Sequence, residues 1–78
     1  MKKIEVLGSG CANCINLEKN AREAVALTGV TAEVVHVYDP AEIMSRGLLR
    51  TPGLVIDGRV VSAGWVPSPG DIAAWLTE

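Results

Sequence analysis

The stretch LVIDGRVVSA, residues 54–63, constrains the chain more than any other. Two β-rich runs, Leu54–Ile56 and Arg59–Ala63, are separated only by Asp57-Gly58. A two-residue connection between strands matches their right-handed twist when both central residues take positive φ, as in a type I′ turn. Asp-Gly is among the best pairs for that geometry. The spacing therefore predicts a tight antiparallel hairpin.

The rest of the chain is read outward from the hairpin. Lys3–Leu7 is short, apolar and partly β-branched, and Gly8 ends it; it is strand one. Asn13–Leu27 has helical spacing: Leu17, Ala21, Ala24 and Val25 share a face with Cys14. Glu18 with Arg22, and Lys19 with Glu23, are opposite charges four apart on its solvent side, and Gly29 stops it. Thr31–Tyr38 (TAEVVHVY) is rich in β-branched residues and forms strand two. Asp39, Pro40 and Glu42 form a capping-box pattern for a short helix with Ile43, Met44 and Leu48 on its apolar side. Thr51-Pro52-Gly53 separates that helix from the hairpin. Ser68 caps a closing helix that runs to Leu76, with Pro69 in its first turn, Asp71 three residues after the cap and Ile72, Trp75 and Leu76 facing inward. The order is βαβ-α-ββα. Strands one and two should be parallel, joined by a right-handed crossover.

At 78 residues the chain suffices for one domain, 1–78, with a small core. Hydrophobic residues make up 49%, which argues for a folded core over disorder. With Tyr38, Trp65 and Trp75 the only aromatics, that core is aliphatic. A net charge of −2 gives no electrostatic footprint for nucleic acid or an anionic membrane. The opening MKKIEVLGSG lacks a signal-peptide h-region, because Glu5 interrupts the apolar run and Gly8 ends it. The expectation is a cytoplasmic protein. There a close cysteine pair is a catalytic or metal-binding device rather than a staple.

Cys11 and Cys14 are the only cysteines. Cys11 falls in the first turn of the first helix, where unpartnered N–H groups and the helix dipole favour an anion. Its thiol pKa should therefore lie below the free value of about 8.5. Cys14, one turn on and on the apolar face, should be more buried and less acidic. The two are within disulfide reach, an exposed attacker and a shielded resolver, and thiol–disulfide exchange needs that asymmetry. Two other readings stand beside this one. The pair is an ordinary couple of core-edge cysteines, or it supplies half of a metal site. A tetrahedral zinc needs four ligands, and the lone histidine, His36, sits in strand two, where a strand residue with a satisfied hydrogen bond is the simpler role.

GSGCANC, residues 8–14, looks like the loop of heavy-metal-associated copper-binding domains. Those domains carry Met where Ser9 stands, and their order is βαββαβ. Only one strand fits between Gly29 and Pro40 here, and the chain closes on a helix. The same GSGCANC, with TPGLVIDGRVVSAG at 51–64 and the capped last helix, resembles the thioredoxin/glutaredoxin superfamily over the whole chain. The likeness is strongest to its small archaeal and bacterial members, the redox-active disulfide proteins. The resemblance implies an α/β, minimal thioredoxin-like fold with a four-stranded mixed sheet flanked by helices. It implies that Pro52 opens strand three in the cis form beside the sulfurs, with the Thr51 backbone turned toward a bound peptide. It implies that Gly64 is the small residue at the groove rim. Gly10 replaces the family's usual Trp, and Trp65 is a candidate to cover the groove in its place, or else packs half-buried. Glu5 lies six residues before Cys11, where thioredoxins carry a buried Asp that assists the resolving thiol; the competing reading is an outward-facing strand residue.

The function expected is thiol–disulfide exchange: Cys11 attacks a substrate disulfide and Cys14 resolves the mixed disulfide. No cofactor or metal is expected. The expected partners are a protein or small-molecule disulfide substrate and a disulfide reductase or small thiol, acting on a monomer. The alternatives are a soft-metal or metalloid thiolate trap and glutathione-linked activity, the latter using the last helix start at Ser68–Asp71.

Overall fold

The computed structural model describes residues 1–10 and 12–78. Its elements are β1 (Lys2–Leu7), α1 (Ala12–Thr28), β2 (Ala32–Val37), α2 (Pro40–Ser45), β3 (Gly53–Ile56), β4 (Arg59–Ala63) and α3 (Pro69–Leu76). The order βαβ-α-ββα is the one expected. The strands form one mixed sheet in the order β2-β1-β3-β4. β1 pairs in parallel with β2, Ile4 opposite Val34, and antiparallel with β3, Val6 opposite Leu54.

Alternation along β1 divides the interior into two layers. Ile4 and Val6 meet Leu17, Ala21 and Ala24 of α1 and Ile72 and Leu76 of α3 on one face. Leu7 meets Val37, Ile43, Leu48 and Val55 on the other. The apolar side of α2 is narrower than expected: Ile43 is buried but Met44 is 74% exposed. Adjacent helical residues point about 100° apart, so in a six-residue helix only one of the two can face the sheet. Asp39 caps α2 by accepting from Ala41 N–H at 2.9 Å. At α3 both halves of the capping box form: Ser68 Oγ accepts from Asp71 N–H at 3.1 Å, and Asp71 Oδ2 from Ser68 N–H at 3.2 Å.

The hairpin turn has positive φ at Asp57 (50°) and Gly58 (82°), as a type I′ turn requires. Asp57 does a second job. Its Oδ1 accepts from Lys3 N–H at 2.8 Å, which holds its carboxyl below the usual range and pins the turn to β1. A register shift between Leu54 and Val55, in the β3–β4 ladder, has no signal in the sequence. No helix among the described residues is long and apolar enough to cross a membrane.

Candidate functional site

The sheet order lines up one edge of the molecule. β1 and β2 end there, β3 starts there and β4 ends there. Gly8, Tyr38, Pro52 and Gly64 follow or open those strands, so they stand in the order Tyr38, Gly8, Pro52, Gly64 across the sheet. The first turn of α1 begins at the same edge, with Ala12 four residues after Gly8.

Cys14 lies in that first turn and is fully buried. Gly8 lies against it. A methyl group on Gly8 would fall inside the van der Waals shell of Cys14 Sγ, 3.4 Å from Cys14 Cβ and 3.9 Å from Pro52 Cα. The sulfur therefore occupies the space that any other residue at position 8 would fill. In the sequence Gly8 reads as the end of strand one and the first residue of GSGCANC, and neither reading announces its contact with Cys14. Cys11, the expected attacking sulfur, lies outside the described residues.

The Thr51–Pro52 peptide bond is cis. Pro52 is buried and Thr51 exposed, and Pro52 C=O accepts from Gly64 N–H at 2.9 Å. That bond ties the start of β3 to the end of β4. Gly64 has a φ of +84°, and a Cβ there would stand 2.9 Å from Arg50 Cδ and 3.1 Å from Arg50 Cβ. Both its backbone and its surroundings demand glycine. Trp65 is 47% exposed and meets Trp75 of α3 edge-on, centroids 6.2 Å apart. The contact with Trp75 is a packing contact, and about half of the ring is left open to solvent.

Glu5 does not face outward. It is 5% exposed, on the α2 side of the sheet, and Arg46 at the C-terminus of α2 donates to its Oε2. This contact raises the pKa of the Arg46 guanidinium. The pair spans 41 residues, and no local pattern announces it.

On the other face His36 packs with its side chain 9% exposed, and its Nδ1 lies 2.8 Å from Glu18 Oε1. That hydrogen bond, with a lesser contribution from Arg22 at 3.2 Å, holds the Glu18 carboxyl below its ordinary value of 4.5. A carboxyl lowered on folding adds stability that is fully present above the unfolded value and disappears as pH falls through the folded one. The urea midpoint of the parent should therefore fall on acidification below about pH 4.5, and Glu18→Gln should flatten that part of the profile. An identical acid limb in the variant would show that the contact contributes nothing.

Among the described residues no three His, Cys, Asp or Glu side chains gather as a metal site would require. At the start of α3 the capping box already uses the Asp71 N–H.

These features agree with what the chain is similar to. A family model described as thioredoxin domain matches residues 2–77. A thioredoxin of Methanothermobacter thermautotrophicus is 46% identical over 77 residues, which cover 99% of this chain and 100% of that protein. A thioredoxin of Methanocaldococcus jannaschii is 36% identical over 72 residues, 92% of this chain and 83% of that protein.

Proposed function

Because the chain belongs to the thioredoxin family, a family of thiol–disulfide oxidoreductases, we propose that its own dithiol, Cys11 and Cys14, reduces disulfides by two successive exchanges. The observation that carries this reading is the seat of Cys14: a fully buried side chain in the first turn of α1, packed directly against Gly8 at the end of β1. A sulfur so shielded is unsuited to meet a bulky substrate. In this reading its part is to attack Cys11, three residues earlier in the chain, once the mixed disulfide has formed.

In the first step the Cys11 thiolate attacks one substrate sulfur. The substrate S–S bond breaks, a mixed disulfide forms, and the other substrate sulfur leaves as a thiolate that takes a proton from solvent. In the second step Cys14 gives up its proton and attacks Cys11 Sγ. The mixed disulfide breaks, the second substrate thiolate leaves and is protonated, and a Cys11–Cys14 disulfide remains. The substrate gains two electrons and two protons; the pair loses two electrons, the proton of Cys14 and the one Cys11 released to solvent on becoming a thiolate. A second thiol or a disulfide reductase returns the pair to the dithiol by the reverse exchange.

Thr51, Pro52 and Gly64 form the groove in this reading. Thr51, exposed beside the cis bond, offers backbone groups to an extended substrate segment. Trp65 flanks the groove beyond Gly64. Glu5 is the buried carboxylate of the described residues and the candidate to assist Cys14 when its proton leaves. Substrates are protein or small-molecule disulfides, the working protein is a monomer in a reducing compartment, and one domain suffices.

The test is a redox titration of the purified dithiol against glutathione buffers, with the oxidised product located by mass spectrometry. A single two-electron couple that links Cys11 to Cys14 is the expected result. A protein that stays reduced in oxidised glutathione, or that holds one tight equivalent of a soft metal in calorimetry and oxidises only after chelation, would sink the reading in favour of metal capture.

A further inference from the structure

Tyr38 stands one residue beyond β2. Because β2 runs parallel to β1, the two strands end side by side, and Gly8 N–H donates to Val37 C=O at 3.0 Å. This brings the Tyr38 ring against the loop that leads into Cys11: a Cβ on Gly10 would lie 3.2 Å from Tyr38 Cε1. The ring is also stacked on His36, with centroids 4.1 Å apart and planes within 10°. His36 is itself fixed by Glu18 of α1 at 2.8 Å, and Glu18 by Arg22 at 3.2 Å. The ring is thus held in one place by a line of contacts rooted in α1.

Even so, Tyr38 remains 59% exposed. An aromatic side chain that is ordered yet open to solvent is a ready contact surface. It offers a large apolar area with few torsions, and most of its rotamer freedom is already lost before a partner arrives. The sheet order puts it across Gly8 from Pro52. The residue directly before Cys11 is a glycine, so it places no side chain between this ring and an incoming chain.

We propose that Tyr38 is a specificity-determining residue of the disulfide exchange: its exposed ring, seated on Gly10 and His36, is the wall of the groove opposite Pro52 and receives an apolar side chain next to the cystine under attack in a protein substrate. The proposal rests on the exchange reading above. A small disulfide has no such side chain and gains nothing from the ring.

The experiment follows oxidation of the pre-reduced protein in single turnover, with insulin and with hydroxyethyl disulfide, by acid quench and mass spectrometry. In Tyr38→Ala the ratio of the insulin rate constant to the hydroxyethyl disulfide rate constant should fall about tenfold. Tyr38→Phe, which keeps the ring, should restore it. His36→Ala, which unseats the ring, should lower it by a smaller factor. With the parent alone, a cystine peptide bearing Leu beside the attacked cysteine should react about fivefold faster than its Gly counterpart. An unchanged ratio in Tyr38→Ala, or equal rates for the two peptides, overturns the role of Tyr38 and leaves the exchange reading intact. A parent that oxidises with neither substrate overturns both.

Discussion

Gly8→Ala should unfold about 10 °C below the parent and should form its disulfide poorly. The backbone at Gly8 is not the obstacle, because its φ is not among the positive values of the chain. The obstacle is Cys14 Sγ, which already fills the space a methyl group would take. Cys14 is fully buried, and Pro52 Cα lies 3.9 Å from the added carbon. The sulfur has to leave its rotamer, or the first turn of α1 has to lift from the end of β1. Forcing an extra carbon into a packed site costs about 1–3 kcal/mol. In a chain this short each kcal/mol lowers Tm by about 4–8 °C. A disulfide tolerates little displacement of its Cβ atoms, so the same shift should weaken oxidation. The double variant Gly8→Ala/Cys14→Ala removes the sulfur that the methyl strikes and should recover most of the lost stability relative to Cys14→Ala alone. Thermal melts of the four proteins decide it. If the loss persists without the sulfur, then Gly8 is needed for some reason other than room for Cys14.

How much of this was legible beforehand follows from the range of each interaction. The Asp57-Gly58 turn, the Ser68–Asp71 capping box and the single strand-length segment between Gly29 and Pro40 are local signals, and each element they imply is present. Together they settle the element order and separate it from the copper-domain order. The burial of Cys14 was legible too, from its phase with Leu17, Ala21 and Ala24. What escaped depends on which strands become neighbours. Gly8 reads as an ordinary strand end until α1 folds back on it. Tyr38 reads as the last residue of a strand until the parallel register of β1 and β2 brings it to Gly10. Glu5 keeps two readings open, inward or outward, until Arg46 arrives from the far end of α2. Met44 was misplaced for a different reason: apolar spacing sets a face, but a helix of six residues has too few positions to fill one.

Arg46→Ala should destabilise the protein at neutral pH by more than the loss of an exposed arginine ordinarily does. The reason lies with its partner. The Glu5 side chain is only 7% exposed, whereas that of Arg46 is 35% exposed. Truncating the arginine leaves the carboxylate in place, shielded from water and without its cation. Removing one member of a fully buried pair costs about 3–5 kcal/mol. The exposed guanidinium and the water that can follow its removal bring the figure down. Removing both charges should behave differently. Glu5→Leu/Arg46→Met puts apolar groups beside Leu7, Val55 and Ile43 on the α2 face, and should be close to the parent in stability. Urea unfolding of the parent, Arg46→Ala and the double variant gives the comparison. An Arg46→Ala protein as stable as the parent would mean that Glu5 finds another partner or water, and that the ion pair does not hold α2 to β1. If the expected pattern appears, the double variant also isolates the chemistry: its stability is preserved while its carboxylate is gone. Slower release of reduced substrate from its mixed disulfide would then be an effect of the missing ion pair rather than of lost stability, and an unchanged rate would remove Glu5 from the resolving step.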